Sequence, residues 1–199
     1  MRVKTTQHKV VSKNNFGHSN NKYTKNCGAI DLGTNNCRLL IAQPGVSGHH
    51  IIASYSQIVC LGEDLTANDY LSEDAMTRTL NALSVCAQKL KHYNVSLLRN
   101  VATEACRKAK NCEAFFDRIQ AKTGLTFETI SCEEEARLAM LGCQNLLTKN
   151  YPYTLAFDIG GGSTEVIWSK LNDDGFYKIV DVLSLPFGVL TLSENYDAQ

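Results

Sequence analysis

An apolar run enters Asp158 and continues through three glycines, a hydroxyl pair and a second acid: Phe157-Asp158-Ile159-Gly160-Gly161-Gly162-Ser163-Thr164-Glu165, then Val166-Ile167-Trp168. Such a run dictates a strand, a tight turn and another strand. Glycine has no Cβ, so its backbone amides can turn inward and approach an anion closely. Ala29-Ile30-Asp31-Leu32-Gly33-Thr34-Asn35-Asn36 has the same layout, with Asp31 placed 127 residues before Asp158. Taken alone, the triple glycine is equally a plain hairpin turn. A nucleotide-binding P-loop needs a Lys before the hydroxyl pair and a helix after it, and a dinucleotide fingerprint needs a third spaced glycine opening a helix. Neither fits here. The second copy and the flanking acids Asp158 and Glu165 turn the reading toward a pair of phosphate loops.

The periodicities around the loops predict an α/β chain. Strands are expected at Cys27 to Leu32, Arg38 to Ala42 and His50 to Tyr55, joined by short turns as an antiparallel meander. Ser72-Glu73-Asp74 opens a helix with a Ser cap and acids in its first turn, and Met76, Leu80, Leu83, Ala87 and Leu90 form its apolar face. A strand from Leu97 to Ala102, a helix containing Phe115, Phe116 and Ile119, and a strand from Leu125 to Ile130 follow. Ser131 to Glu134 has capping-box spacing and opens a third helix, with Ala136, Ala139, Met140, Cys143 and Leu147 on its apolar side. The strand pattern then restarts with Thr154 to Ile159, Glu165 to Ser169 and Gly175 to Leu183, and Leu185-Pro186-Phe187-Gly188 begins another element. We therefore expect a basic, disordered tail at 1–26, a first half at 27–131 carrying one loop, and the start of a second, incomplete half at 132–199 carrying the other.

Composition narrows the function classes. Six of the 20 Lys and Arg fall in residues 1–26 beside no acid, leaving 14 basic against 20 acidic groups in the body. A basic tail on an acidic body argues against a sequence-specific nucleic-acid-binding core. No stretch approaches the ~20 apolar residues of a membrane span, and the N-terminus lacks the apolar segment of a secretory signal. The eight cysteines are scattered without a Cys-x-x-Cys pair, as expected for reduced thiols in a cytoplasmic protein. No His lies in any motif, which removes support for Ser-His-Asp or phosphohistidine chemistry.

Four stretches together carry a family resemblance: Asp31-Leu-Gly-Thr-Asn-Asn-Cys-Arg38, Ala102-Thr-Glu-Ala-Cys-Arg107, Ser131-Cys-Glu-Glu-Glu-Ala-Arg137 and Asp158-Ile-Gly-Gly-Gly-Ser-Thr-Glu165. The paired loops resemble those of the actin-like ATPase (ribonuclease H-like) superfamily. The four motifs, in this order, resemble the exopolyphosphatase/guanosine pentaphosphate phosphatase family from about Cys27 onward. Thr34 and Asn36 stand where that family commonly has Ser, and Cys132 where it usually has Gly.

The resemblance implies a duplicated actin-like fold and hydrolysis of the terminal phosphoanhydride bonds of polyphosphate or guanosine pentaphosphate. It assigns the general base to Glu135. From the residues alone, Glu133, Glu134 and Glu135 form an acidic first helical turn, which dipole stabilisation also explains. Asp31, Asp158 and Glu165 are the expected carboxylates for Mg²⁺, a hard cation that prefers oxygen ligands. Gly33, Asn35, Gly160, Gly161 and Gly162, with the Thr34 and Ser163 hydroxyls, are expected to cradle phosphate. Arg38 and Arg107 have the fork geometry for bidentate phosphate contact, although either also suits a surface ion pair. The other readings are a phosphate-binding module without turnover and an actin-like kinase using ATP. Expected partners are the phosphate substrate and either a second copy or a missing C-terminal half.

Overall fold

The computed structural model describes residues 25–45 and 48–197, so most of the expected basic tail lies outside the described residues. The first meander consists of β1 (Asn26–Leu32), β2 (Asn36–Gly45) and β3 (Gly48–Ile58), paired antiparallel in sequence order. A short helix, α1 (Leu65–Asn68), precedes α2 (Glu73–His92). The Ser72 hydroxyl caps α2 by accepting from the Ala75 amide at 3.2 Å, and Glu73 and Asp74 occupy its first turn. Met76, Leu80, Leu83 and Leu90 are buried on the expected face, which packs on Cys37, Leu39 and Ile41 in one continuous core. A helix this long is held by that face more than by intrinsic propensity.

The chain returns to the sheet as β4 (Val95–Ala102), parallel to β1. It then passes through α3 (Glu104–Lys108) and α4 (Cys112–Thr123), which ends at Gly124 with φ 73°. That left-handed conformation is the one glycine adopts without a Cβ penalty. The expected strand from Leu125 to Ile130 shrinks to β5 (Glu128–Thr129), parallel to the end of β4. Upstream of it the Asn100 side chain donates to the Thr126 carbonyl at 2.9 Å, so a side chain takes the place of a ladder bond there. The five-stranded sheet has the order β3-β2-β1-β4-β5.

Helix α5 (Cys132–Cys143) leads to the second meander. Ser131 caps it through the Glu134 amide at 3.2 Å. The reciprocal half of the expected capping box does not form, because the Glu134 carboxylate is taken by Arg137 at 2.6 Å and Arg99 at 3.0 Å. The second sheet comprises β6 (Tyr153–Ile159), β7 (Thr164–Leu171) and β8 (Tyr177–Leu185), again antiparallel and in sequence order. One of its faces packs on Ala136 and Met140 of α5 through Ile167, Ala156 and Val182, a core separate from the first. Helix α6 (Val189–Asp197) is the element begun at Leu185 to Gly188.

Candidate phosphate-loop site

The two glycine turns are structural copies. In the first, Asp31 on β1 pairs in register with Arg38 on β2, and the Gly33 amide donates to the Asn36 carbonyl at 2.9 Å. In the second, Asp158 pairs with Glu165 across β6 and β7, and the Gly160 amide donates to the Ser163 carbonyl at 2.9 Å. Every partner is displaced by the same 127 residues. The copies diverge at the last position. The Arg38 side chain is 62% exposed and stands 3.9 Å from Asp31, whereas Glu165 is buried and accepts from the Ser184 hydroxyl at 2.9 Å.

Each loop is braced from behind through its carbonyls. Behind the first, the Val59 and Cys60 amides donate to the Asn35 carbonyl at 2.9 and 3.1 Å, and Gly62 donates to the Thr34 carbonyl at 2.9 Å. The Cys60 thiol adds a bond to the Asn35 side-chain oxygen at 3.3 Å. Behind the second, the first turn of α6 supplies the donors: Val189 to the Gly160 carbonyl and Leu190 to the Gly161 carbonyl, both at 2.9 Å. Gly188 lies so close that a Cβ there would collide with the backbone of Gly161 and Gly162. With their carbonyls turned back, the loops leave the amides of Thr34, Asn35, Gly161, Gly162 and Ser163 without a protein acceptor among the described residues. Such sets of convergent amides make anion seats.

The loops also touch each other. A Cβ on Gly161 would fall 2.9 Å from Asn35 Cβ, and one on Gly162 would fall 2.9 Å from Thr34 Oγ1 and 3.2 Å from Glu104 Cγ. Glycine is required at both positions by this close approach. Thr34 and Ser163 are buried at the contact. Beside it opens a cleft of about 810 Å³, whose lining includes Asp31, Gly33, Arg38, Glu135, Asp158 and the second loop. The parallel strands β1, β4 and β5 all end here, where sites gather in α/β sheets.

Glu135 sits in the first turn of α5, with a side chain 19% exposed, and Arg107 Nη1 donates to its Oε2 at 2.8 Å. Burial pushes its carboxyl up to about 7; Arg107 opposes the rise, and Glu165 and Asp158 add to it. Burial also raises Asp31, against the pull of Arg38 and with the help of Asp158 across the cleft.

The expected site residues are therefore only partly gathered. Glu135, Asp31, Asp158, Arg38, Gly33, Thr34, Asn35, Gly160, Gly161, Gly162 and Ser163 all line one cleft. Arg107 does not line it: its Nε and Nη2 bond Glu104 Oε2 at 3.1 and 3.0 Å, and its Nη1 serves Glu135 and the Ile130 carbonyl. Glu165 is buried, accepts from Ser184 and is not part of the cleft lining, and no group of three or more acidic, His or Cys side chains suited to a metal forms among the described residues. Of the three carboxylates expected to hold Mg²⁺, Asp31 and Asp158 line the cleft. Two carboxylates fit Mg²⁺, which keeps most of its waters and takes its other ligands from substrate phosphates. Reading the sequence by residue type passes over Glu104, although it lies inside the quoted motif. It lines the cleft and anchors both Arg107 and, at 2.6 Å, Lys108.

This geometry matches known proteins over most of the chain. A solved Ppx/GppA family member from Aquifex aeolicus superposes with a TM-score of 0.72 at 34% identity, covering 87% of this chain and 55% of that one. An exopolyphosphatase from Cytophaga hutchinsonii superposes with a TM-score of 0.79 at 29% identity, covering 86% and 53%. Among curated proteins, exopolyphosphatase 2 of Mycobacterium tuberculosis is 33% identical over 175 residues, 83% of this chain and 53% of its own length. A bifunctional 3-dehydroquinate synthase/phosphatase of Fusobacterium nucleatum is 31% identical over 176 residues, which is 26% of its length. The chain thus spans about half of its single-function relatives. The duplicated meander is the actin-like ATPase fold of those structures. The model of the Ppx/GppA phosphatase family matches residues 40–199, and the chain belongs to that family.

Proposed function

We propose that the chain contributes the catalytic cleft of a phosphoanhydride hydrolase that removes terminal phosphate from inorganic polyphosphate or guanosine pentaphosphate in the cytoplasm. The observation that supports it most is the near-neutral Glu135 carboxyl set beside two loops that leave five amides without a protein acceptor among the described residues. On this reading residues 27–131 and 132–199 are the two halves flanking the cleft. No helix in the described residues is long and apolar enough to cross a membrane.

The terminal phosphate, with its negative oxygens, would sit against the amides of both loops and near Arg38, the more exposed of the two guanidinium groups that line the cleft. Deprotonated Glu135 takes a proton from a water as its oxygen attacks the terminal phosphorus. The bond to the bridging oxygen breaks, leaving orthophosphate and a chain one phosphate shorter. Arg107 holds the Glu135 carboxylate in place from behind. Asp31 and Asp158 would hold Mg²⁺, which supplies charge neutralisation between the acidic cleft and the phosphates. The cleft acids Asp31, Glu104, Glu135 and Asp158 would otherwise repel a polyanion.

Orthophosphate release from long-chain polyphosphate, guanosine pentaphosphate and ATP, each with Mg²⁺, tests the reading. Release from the first or second but not from ATP supports it. Retention of polyphosphate without release identifies a binding module instead, and preferential use of ATP identifies a kinase-like site.

A further inference from the structure

Of the acids that line the cleft, Asp31, Glu104, Glu135 and Asp158, Glu104 alone has no part in the hydrolysis step or the metal seat. It opens α3, and spacings of three and four residues put Arg107 and Lys108 on its own face of the helix. Such a pattern ordinarily makes a solvated ion pair of little consequence. Here the Glu104 and Arg107 side chains are only 13% and 16% exposed. A carboxylate buried to that degree is costly unless opposite charge and hydrogen bonds surround it. Both are present. Lys108 Nζ lies 2.6 Å from Oε1, and Arg107 donates to Oε2 from Nε and Nη2 at 3.1 and 3.0 Å.

The place of Glu104 joins three parts of the site. The preceding residue, Thr103, is tied to the first loop, its amide donating at 3.1 Å to the carbonyl of Leu32 just before Gly33. The Glu104 side chain lies against the second loop, with Cγ 3.2 Å from where a Cβ on Gly162 would stand. Through Arg107 it reaches Glu135. With Nε and Nη2 spent on Glu104, only Nη1 serves the base, and the Ile130 carbonyl shares it at 2.9 Å. Glu135 therefore receives one bond, on Oε2, and its Oε1 accepts none among the described residues. A guanidinium left to a single carboxylate closes on both of its oxygens as a fork. We propose that Glu104 is a positioning residue for Glu135: it holds Arg107 in the one-bond arrangement, which keeps Oε1 open to a water and fixes the base relative to the second loop. Glu104 touches no reacting atom and acts only through Arg107.

The inference rests on Glu135 as the base of the proposed hydrolysis. Orthophosphate release from long-chain polyphosphate is compared in two variants. Glu104→Met keeps bulk against Gly162 but no acceptor, and Glu104→Gln keeps an oxygen for Arg107. Glu104→Met is expected to lower kcat roughly ten- to hundredfold without raising KM, with Glu104→Gln falling between it and the unmodified chain. In an Arg107→Met background, adding Glu104→Met changes kcat by less than about twofold, because the two side chains act as a unit. The inference is overturned if Glu104→Met keeps kcat within about twofold of the unmodified chain, if a rise in KM carries the loss, or if the two substitutions multiply. An unmodified chain that releases no phosphate refutes the hydrolysis, and the positioning is then read by NMR at pH 8 with ¹³C-labelled glutamate carboxyls. The Glu135 signal, identified by its loss in Glu135→Gln, shifts in Glu104→Gln and stays in place when that substitution is added to Arg107→Met. A Glu135 signal unmoved by Glu104→Gln alone overturns the inference.

Discussion

Arg107 Nη1 donates to Glu135 Oε2 at 2.8 Å, yet the Glu135 carboxyl still titrates near neutrality. Burial outweighs the ion pair because the guanidinium is shared: its Nε and Nη2 are committed to Glu104. The result is a carboxylate held in place but kept basic enough to accept a proton close to pH 7.

A pH profile follows from that balance. If Glu135 is the base, the rate rises with pH through about 7 as its carboxyl loses the proton, then levels off. Glu135→Gln removes that limb from whatever activity remains.

The same shift has a stability sign. Glu135 rises from an ordinary value of 4.5 to about 7, so between those values the folded chain holds a proton that the unfolded chain has lost. The stabilisation is complete below 4.5 and is lost as pH rises through 7. Thermal melting at pH 5 and pH 8 should show a smaller fall for Glu135→Gln than for the unmodified chain.

The contact between the loops predicts intolerance to a single methyl. Gly161→Ala places a Cβ 2.9 Å from the Asn35 amide nitrogen, and backbone must move to accept it. We expect a loss of about 1–3 kcal/mol in urea unfolding. Gly188→Ala should release α6 from the second loop, read as faster amide exchange at Val189 and Leu190, whose bonds to the loop carbonyls are 2.9 Å.

Arg38 is the cleft guanidinium most open to solvent, at 62%. Arg38→Ala should weaken tripolyphosphate binding about tenfold and flatten its salt dependence, measured by calorimetry, without changing thermal stability. An unchanged affinity would remove Arg38 from the phosphate seat.

Both glycine turns and the α2 face are legible in the residues because each rests on local pattern: Asp-x-Gly between apolar runs, and apolar residues three and four apart. The braces behind the loops are not. Between β3 and α2 the backbone passes through Cys60, Asp64 and Asp69 at φ 46°, 57° and 58°. Non-glycine residues enter that region uncommonly, Asp more readily than Cys, so residue type alone does not place it. The shortening of β5 depends on a distant side chain, Asn100. Arg107 and Glu165 show the same limit of reading by residue type. Residue type suggests a phosphate fork and a metal ligand, but Glu104 and Ser184 decide where those groups point.

Orthophosphate release from long-chain polyphosphate at pH 8 with Mg²⁺, by the unmodified chain and by Glu135→Gln, tests the central claim most directly. The account predicts release by the unmodified chain and a loss of roughly 10²–10⁴-fold in the variant, with polyphosphate binding retained. Release by Glu135→Gln at near the unmodified rate would contradict it.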